Sequence, residues 1–484
     1  MKKLYISILL LVASLTLSAQ NLRTGYFLDG YTYRFQFNPA FQGERGFVSL
    51  PVVSKTSFGI ESTLSVKDFI YPLPSGNLGT FLHPEVKDAD VMKNLGKRTV
   101  LNTNFDINLL AFGFRVKKTY HTLDLSIKAN AEVGLPGDVF KFLKVGASDG
   151  NAVYNMADLG IGSDAYAQIA YGFSRRFFDK FNIGLRVKAL VGLESIRTDI
   201  RNLTLKMEHD EWMVNADGSL VMSSLPSKLL SQDQNVDFME EAMSLVKKPN
   251  LGLAFDIGAS VDLFKYLTLS ASILDLGFIN WNNTGMYTLN PEPWVYTGFN
   301  LSSTGSADLE SQLQTKLDEL TALFNIDEVK TQTFPKYKQN LTMTLHAGAE
   351  FRLPFYERFS LAALATHRFG GGKSWTEGRF SANWALLRWF SLAANYAISD
   401  YGHSYGGAIN LHAKGYTFFL GTDSFRPMTS FATNMIPLNE LNTNVVFGMN
   451  VTFGKYNGMF PKKDKASKKK NKNKSSNSDE DYEL

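Results

Sequence analysis

Leu123-Asp124-Leu125-Ser126-Ile127-Lys128-Ala129-Asn130-Ala131-Glu132-Val133 alternates apolar and polar side chains over eleven residues. A period of two means a strand with two unlike faces. Sandwich strands rarely sustain it so long, whereas roughly 9–11 residues is what a tilted strand needs to cross hydrocarbon. The pattern recurs. Ile183, Leu185, Val187 and Ala189 alternate with Arg186 and Lys188; Leu251, Leu253, Phe255 and Ile257 flank Asp256; Leu341, Met343, Leu345 and Ala347 flank Thr342, Thr344 and His346. One face is apolar and the other carries both signs of charge.

Reading outward from these segments places strands near 45–67, 102–117, 120–134, 163–175, 181–199, 250–263, 266–277, 338–353, 356–369, 375–387, 389–399, 404–412, 414–423 and 441–453. Their connections alternate. Those near Lys118, Asp179, Lys265, Pro354, Arg388 and Lys414 are short, and those at 68–101, 135–162, 200–249 and 278–337 are long. Short periplasmic turns, long extracellular loops and an even strand count mark bacterial transmembrane barrels. The expected fold is therefore all-β, an antiparallel up-and-down transmembrane β-barrel of about fourteen strands with both termini periplasmic. An aromatic residue stands beside each short turn (Tyr120, Phe177, Tyr266, Phe355, Trp389, Tyr416), as an interfacial girdle requires. Pro51 interrupts the first strand, where a kink or bulge is expected, and splitting there would give fifteen or sixteen. Residues 200–214 have the composition to extend a strand beyond the membrane.

The ends differ in kind from the body. Residues 1–19 combine Lys2 and Lys3, an apolar run from Leu4 to Leu17 and small residues at Ser18 and Ala19, which reads as a secretory signal peptide cleaved near Ala19. Residues 20–44 precede the barrel (45–454), and 455–484 form a Lys-rich tail with too few apolar residues for a core, expected to be disordered in the periplasm. The formal charge is +4; without the two leader lysines and the surplus of three in the tail, the body is left at −1. That is no electrostatic footprint for nucleic acid. Absence of cysteine excludes thiolate chemistry and disulfides.

No catalytic constellation, cofactor motif or metal-ligand spacing emerges. His346, His367 and His412 have no Ser in a nucleophile elbow near them, so His346 and His412 are read as structural lumen residues. Gly370-Gly371-Gly372-Lys373-Ser374 lacks the first glycine of a phosphate loop, His367 standing in its place. Mixed luminal charges such as Asp124, Lys128, Arg186, Glu350 and Arg379 suit salt-bridged filling better than an ion-selective pore. Two loops carry helical spacing, at 235–247 (Phe238, Met239) and 306–324 (Leu313, Leu317, Leu320, Phe324). These residues, with Trp281 and Trp294, are the candidate contacts for a ligand or partner in the extracellular loops.

Asn38-Pro39-Ala40, between leader and first strand, resembles the Asn-Pro-Ala hatch of the long-chain fatty-acid transporter (FadL-like) family, whose fourteen-stranded barrels hold an N-terminal plug. The string from Asn21 to Tyr31, with Asn38-Pro39-Ala40-Phe41 and Gly43-Glu44-Arg45-Gly46, resembles an uncharacterised, domain-of-unknown-function family of Bacteroidetes outer-membrane barrels. The resemblance implies a luminal hatch over 20–44, a lateral exit at the Pro51 kink and passive transport of a small hydrophobic compound. It implies a second job too, since the barrel partner of the type IX secretion system resembles the same fold yet binds proteins. The alternative is thus a non-enzymatic scaffold recruiting protein partners through its loops or basic tail, with outer-membrane lipids around it in either case.

Overall fold

A computed structural model describes residues 22–49, 53–147, 150–178, 180–224, 248–282, 284–288, 293–296, 331–334, 336–369, 374–425 and 440–458. Fourteen antiparallel strands close on themselves. They are β1 (Gly46–Ser49 continued by Thr56–Ser65), β2 (Thr99–Val116), β3 (Thr119–Leu135), β4 (Gly160–Phe177), β5 (Phe181–Glu208), β6 (Asn250–Phe264) and β7 (Leu267–Trp281). The second half comprises β8 (Met343–Leu353), β9 (Tyr356–Phe369), β10 (Trp375–Leu387), β11 (Phe390–Ser399), β12 (Gly402–His412), β13 (Tyr416–Phe425) and β14 (Glu440–Phe453). Closure is between the ends, with Gly46 opposite Phe453 and Thr56 opposite Phe447. A closed ladder leaves no edge, the condition for strands in hydrocarbon.

The faces sort as the alternation predicts. Leu123, Leu253, Ile273 and Val445 point outward and are exposed, while Asp124, Ser126, Arg186, Lys188 and Asp256 are buried inside. At the long-loop end β5 outruns the wall, and Trp212–Ser224 folds back along it from Met207 to Glu194. This is the extension expected of 200–214. Thr284–Thr288 and Trp294–Tyr296 widen that flap.

β1 is one wall position in two pieces. Both halves pair with β2 and β14, but between Ser49 and Thr56 the partner β2 moves only from Ala111 to Ile107, so the extra residues leave the ladder. Pro51 lies outside the described residues. Lys55, just beyond, still accepts from Asn108 N through its carbonyl while its side chain turns into the lumen.

Two α-helices occur among the described residues, α1 (Asp88–Leu95) and α2 (Gly137–Val145), in the first two long connections. Neither is where sequence periodicity placed helices, since 235–247 and 306–324 lie outside the described residues. Both are about two turns long, too short for a helical period to stand out. They pack Val91 and Leu95 against Phe140, with Phe69 and Phe81 beside them. A Cβ on Gly137 would strike the Gly96 carbonyl, so this close crossing needs glycine. Gly137→Val is expected to part the helices and speed amide exchange over 88–95 and 137–145, leaving barrel exchange unchanged; uniform protection would refute that packing role.

Candidate functional site

Inside the barrel lies residues 22–45, folded as two 3-10 turns, Arg23–Tyr26 and Thr32–Gln36, with no strand pairing. Tyr26, Phe27, Tyr31, Tyr33, Phe35 and Phe37 form its apolar body and pack on Phe47, Leu364, Ala393 and Phe419 of the wall. Leu22, the first described residue, is fully buried beside Gly421. The chain is thus already deep in the lumen at residue 22, well inside the short-turn rim, and residues 1–21 lie outside the described residues. The other end does reach that rim, where Asn457 N donates to the Glu44 carbonyl.

Polar contacts fix the segment at several levels. Asp423 of β13 accepts from the backbone N–H groups of Arg23 and Thr24, each at 2.6 Å. The Arg23 guanidinium lies 3.1 Å from Glu61 and 3.4 Å from Glu377, and Glu377 is also held by Arg379 at 3.0 Å. Lower down, Arg352 grips both oxygens of Asp29 at 2.9 and 3.0 Å. Burial pushes the Asp29 carboxyl up, but the paired guanidinium outweighs it and holds the carboxyl below its ordinary value. Lys55 donates to Gln36 at 2.6 Å and to Asp106 at 2.9 Å, joining segment, broken strand and wall.

Asn38-Pro39-Ala40 sits against the far wall. The Asn38 Oδ1 accepts from Ala40 N at 2.9 Å, a local turn, while Nδ2 donates to the carbonyls of Ala259 and Ala271 at 3.1 Å each. Those two residues face each other across β6 and β7. The approach is possible because the wall offers glycines: a Cβ on Gly184 would overlap the Pro39 carbonyl, and one on Gly258 the Asn38 amide. Ser272 Oγ donates to the Phe37 carbonyl at 2.6 Å on the same patch.

Above Phe37 is a cavity of about 170 Å³, lined by charged groups (Arg23, Lys128, Asp275, Arg368) and apolar ones (Phe105, Leu274, Ile279, Leu341, Trp375). Here the wall is irregular. Asp275 has φ 58° and forms a bulge, its N–H donating to Asp256 at 2.8 Å and its carboxylate accepting from Lys188 at 2.6 Å. Beside the bulge, β7 pairing passes from Leu274–Thr344 to Phe278–Asn340, leaving Leu341 and Thr342 out of the strand.

On the outer face of the same wall is a groove of about 440 Å³, lined by Ile257, Ala259, Ala271, Ile273, Ala347 and Ala365. His346 and Thr366 line both spaces, joined by a hydrogen bond of 3.0 Å between Nδ1 and Oγ1. The His346 ring also meets Tyr26 at 5.7 Å and Phe37 at 6.1 Å. The paired backbones of β7, β8 and β9, with Ser272 opposite His346 and His346 opposite Thr366, therefore separate cavity from outer groove.

Of the loop candidates, Phe238, Met239, Leu313, Leu317, Leu320 and Phe324 lie outside the described residues. Trp281 is not a loop residue: it ends β7, fully buried among Leu190, Ala254 and Ile279, with its ring 2.6 Å from where a Gly192 Cβ would be. Such a side chain offers no face to a partner. Trp294 lies in the flap strand opposite Val214. The residues that sequence reading missed are Arg23, Asp423 and the Asp275 bulge.

Ser391, His412 and Glu44 stand in the order of a hydrolytic triad, with Ser391 Oγ 3.0 Å from His412 Nε2 and His412 Nδ1 3.1 Å from Glu44. Ser391 is fully buried, and Gly30 lies directly over the imidazole. With no space for a carbonyl at Oγ, the trio ties the luminal segment to β12 and is not an active site.

Arg23→Ala strands three carboxylates around Arg379 and is expected to destabilise the folded barrel by about 3–5 kcal/mol in denaturant titration. Asn38→Ala removes one donor from two wall carbonyls, an expected loss of about 1–3 kcal/mol. Gly184→Val is expected to expel Pro39, seen as protease sensitivity of 22–45 in an otherwise folded barrel; full resistance would contradict the docking described.

A family model described as a family of unknown function (DUF5723) matches residues 39–423. No curated protein matches the sequence. Among solved structures, the toluene transporter TbuX of Ralstonia pickettii is 8% identical, over 90% of this chain and 95% of that one, with TM-score 0.41. A FadL homologue from Pseudomonas aeruginosa is 10% identical, over 91% and 99%, with TM-score 0.39. The Pseudomonas putida toluene transporter TodX is 7% identical, over 90% and 94%, with TM-score 0.36. Likeness of that degree carries no information on what passes or binds here. The match over 39–423 is of another order, covering most of the chain, and by it the protein belongs to the family of unknown function DUF5723.

Proposed function

We propose that this chain is an outer-membrane barrel, exported by its leader, that passes a small hydrophobic compound from the long-loop mouth into the bilayer without an energy source. The carrying observation is the shared wall: the luminal cavity and the outer groove both end on His346 and Thr366. Movement of Asn38-Pro39-Ala40 away from β6 and β7 would release the Phe37 and Tyr26 rings from His346 and free the loosened stretch beside Asp275. Residues 22–45 are then a hatch, and the groove of alanines is the step from which an apolar solute enters lipid. This puts the lateral route at β6–β9, across the barrel from the Pro51 interruption that the family resemblance suggested.

A second reading has one observation in its favour. The lumen below the cavity is filled and cross-linked by buried ion pairs, as suits a sealed scaffold that binds another protein through its loops or through the Lys-rich tail. Both readings place the short turns and the tail in the periplasm.

The absence of cysteine permits a direct test. Thr32→Cys with Thr417→Cys, whose hydroxyls lie 3.3 Å apart, oxidised, ties the hatch to the wall. Uptake of toluene or a short alkane by proteoliposomes is expected to stop on oxidation and return on reduction. Uptake indifferent to the lock would remove the hatch, and no uptake by any variant together with a stoichiometric protein partner in mild-detergent extracts would favour the scaffold. Ala271→Trp with Ala365→Trp, which fills the groove, is expected to slow uptake about tenfold or more while leaving the denaturation midpoint in place.

A further inference from the structure

The rim formed by the short turns is charged in one sense. Exposed cations occur at nearly every turn: Lys117 and Lys118 between β2 and β3, Arg175 and Arg176 at the end of β4 with Lys180 in the turn to β5, Lys265 between β6 and β7, Arg388 between β10 and β11, and Lys414 between β12 and β13. Lys455 follows β14. Of the acids near them, Asp262 pairs with Arg176 at 2.9 Å and Glu357 with Lys265 at 2.7 Å, and with Asp179 and Glu44 these make four acids against nine cations, a clear positive excess. A body whose net charge is −1 thus carries a local positive excess on this ring.

Large aromatic side chains stand among these cations, unsupported by protein. Phe178 is 92% exposed, Phe355 84% and Phe264 72%. Phe178 also has φ 50°, a conformation that bulky residues adopt only at a cost, and it directs the ring away from the barrel. Rings facing water in a strained backbone are unfavourable; rings in the acyl–glycerol boundary, with cations at phosphate height beside them, are not.

We infer that this rim binds the headgroups of anionic glycerophospholipids, phosphatidylglycerol or cardiolipin, seating the barrel on the phospholipid leaflet. Charge complementarity selects phosphate, and the length of the connections selects the leaflet. Turns of two or three residues reach no further than a thin headgroup layer, whereas β5 and its flap project far beyond any hydrocarbon, as an oligosaccharide-covered leaflet demands. The contacts are exposed, so they weaken with salt.

The test is native mass spectrometry of the full chain in mild detergent with equal amounts of phosphatidylethanolamine, phosphatidylglycerol and lipid A. Wild type is expected to retain phosphatidylglycerol about tenfold over phosphatidylethanolamine. Lys117→Gln with Lys118→Gln, and separately Arg388→Gln with Lys414→Gln, each lower that ratio, and the four together bring it near parity. Lys117→Arg with Lys118→Arg retains it. Heat-modifiable gel mobility verifies that each variant is folded, and the two double variants stand on their own should the quadruple fail to fold. Preference for lipid A, or a phosphatidylglycerol preference that survives the rim substitutions and disappears only on truncation after residue 460, would overturn the inference.

Discussion

Fourteen strands enclose more space than their own inward side chains can fill. Eight-stranded barrels fill theirs and sixteen-stranded ones hold water, so this barrel must either flood or recruit a filler. Residues 22–45 are that filler, and their rings supply the apolar volume missing from a wall whose inner face is Asp, Ser, Asn, Arg and Lys. Once water is displaced, each inward charge needs a partner, which is why Arg23 meets Glu61, Glu377 and Asp423, and Arg352 meets Asp29 and Glu350. Buried pairs of this kind add little net stability, since desolvation offsets the attraction, but removing one member is costly. They fix one position of the segment against all others.

The same constraint divides the lumen. Below Phe37 the packing leaves only a small space of about 30 Å³ beside Gly30 and His412; above it the filler ends and a larger cavity remains, with the wall bulged at Asp275 and irregular at Leu341 and Thr342, where Leu341 N still donates to the Gly277 carbonyl. Alanines on the outer face thin the wall where Asn38 braces it from within. Filler, cavity and groove therefore meet at one patch of β6–β9, and the proposed passage depends on that coincidence.

Much of the architecture was legible because long barrel strands write their two faces into the sequence. The limits of β9 and β10 are found as read, and most other limits shift by a few residues at the turns; the long-loop ends of β5 and β8 shift furthest, to Glu208 and Met343. What was not legible is what depends on long-range contact. Arg23 and Asp423 lie 400 residues apart, and nothing local marks either as half of an anchor. Gly184 looks like any strand glycine until Pro39 is placed against it. Asn38 was found only through resemblance, because an Asn-Pro step by itself predicts a turn. Trp281 was misplaced for a related reason: β7 continues past its bulge, and alternation broken at Asp275 hides the strand beyond.

The most direct measurement is crystallographic: the barrel soaked with a brominated short alkane, with bromine located by anomalous scattering. The account predicts peaks in the cavity above Phe37 and in the groove over Ala271 and Ala365, with the Asn38 contacts to β6 and β7 altered. Peaks in neither place, with residues 22–45 unmoved at saturating ligand, would contradict passage through this wall.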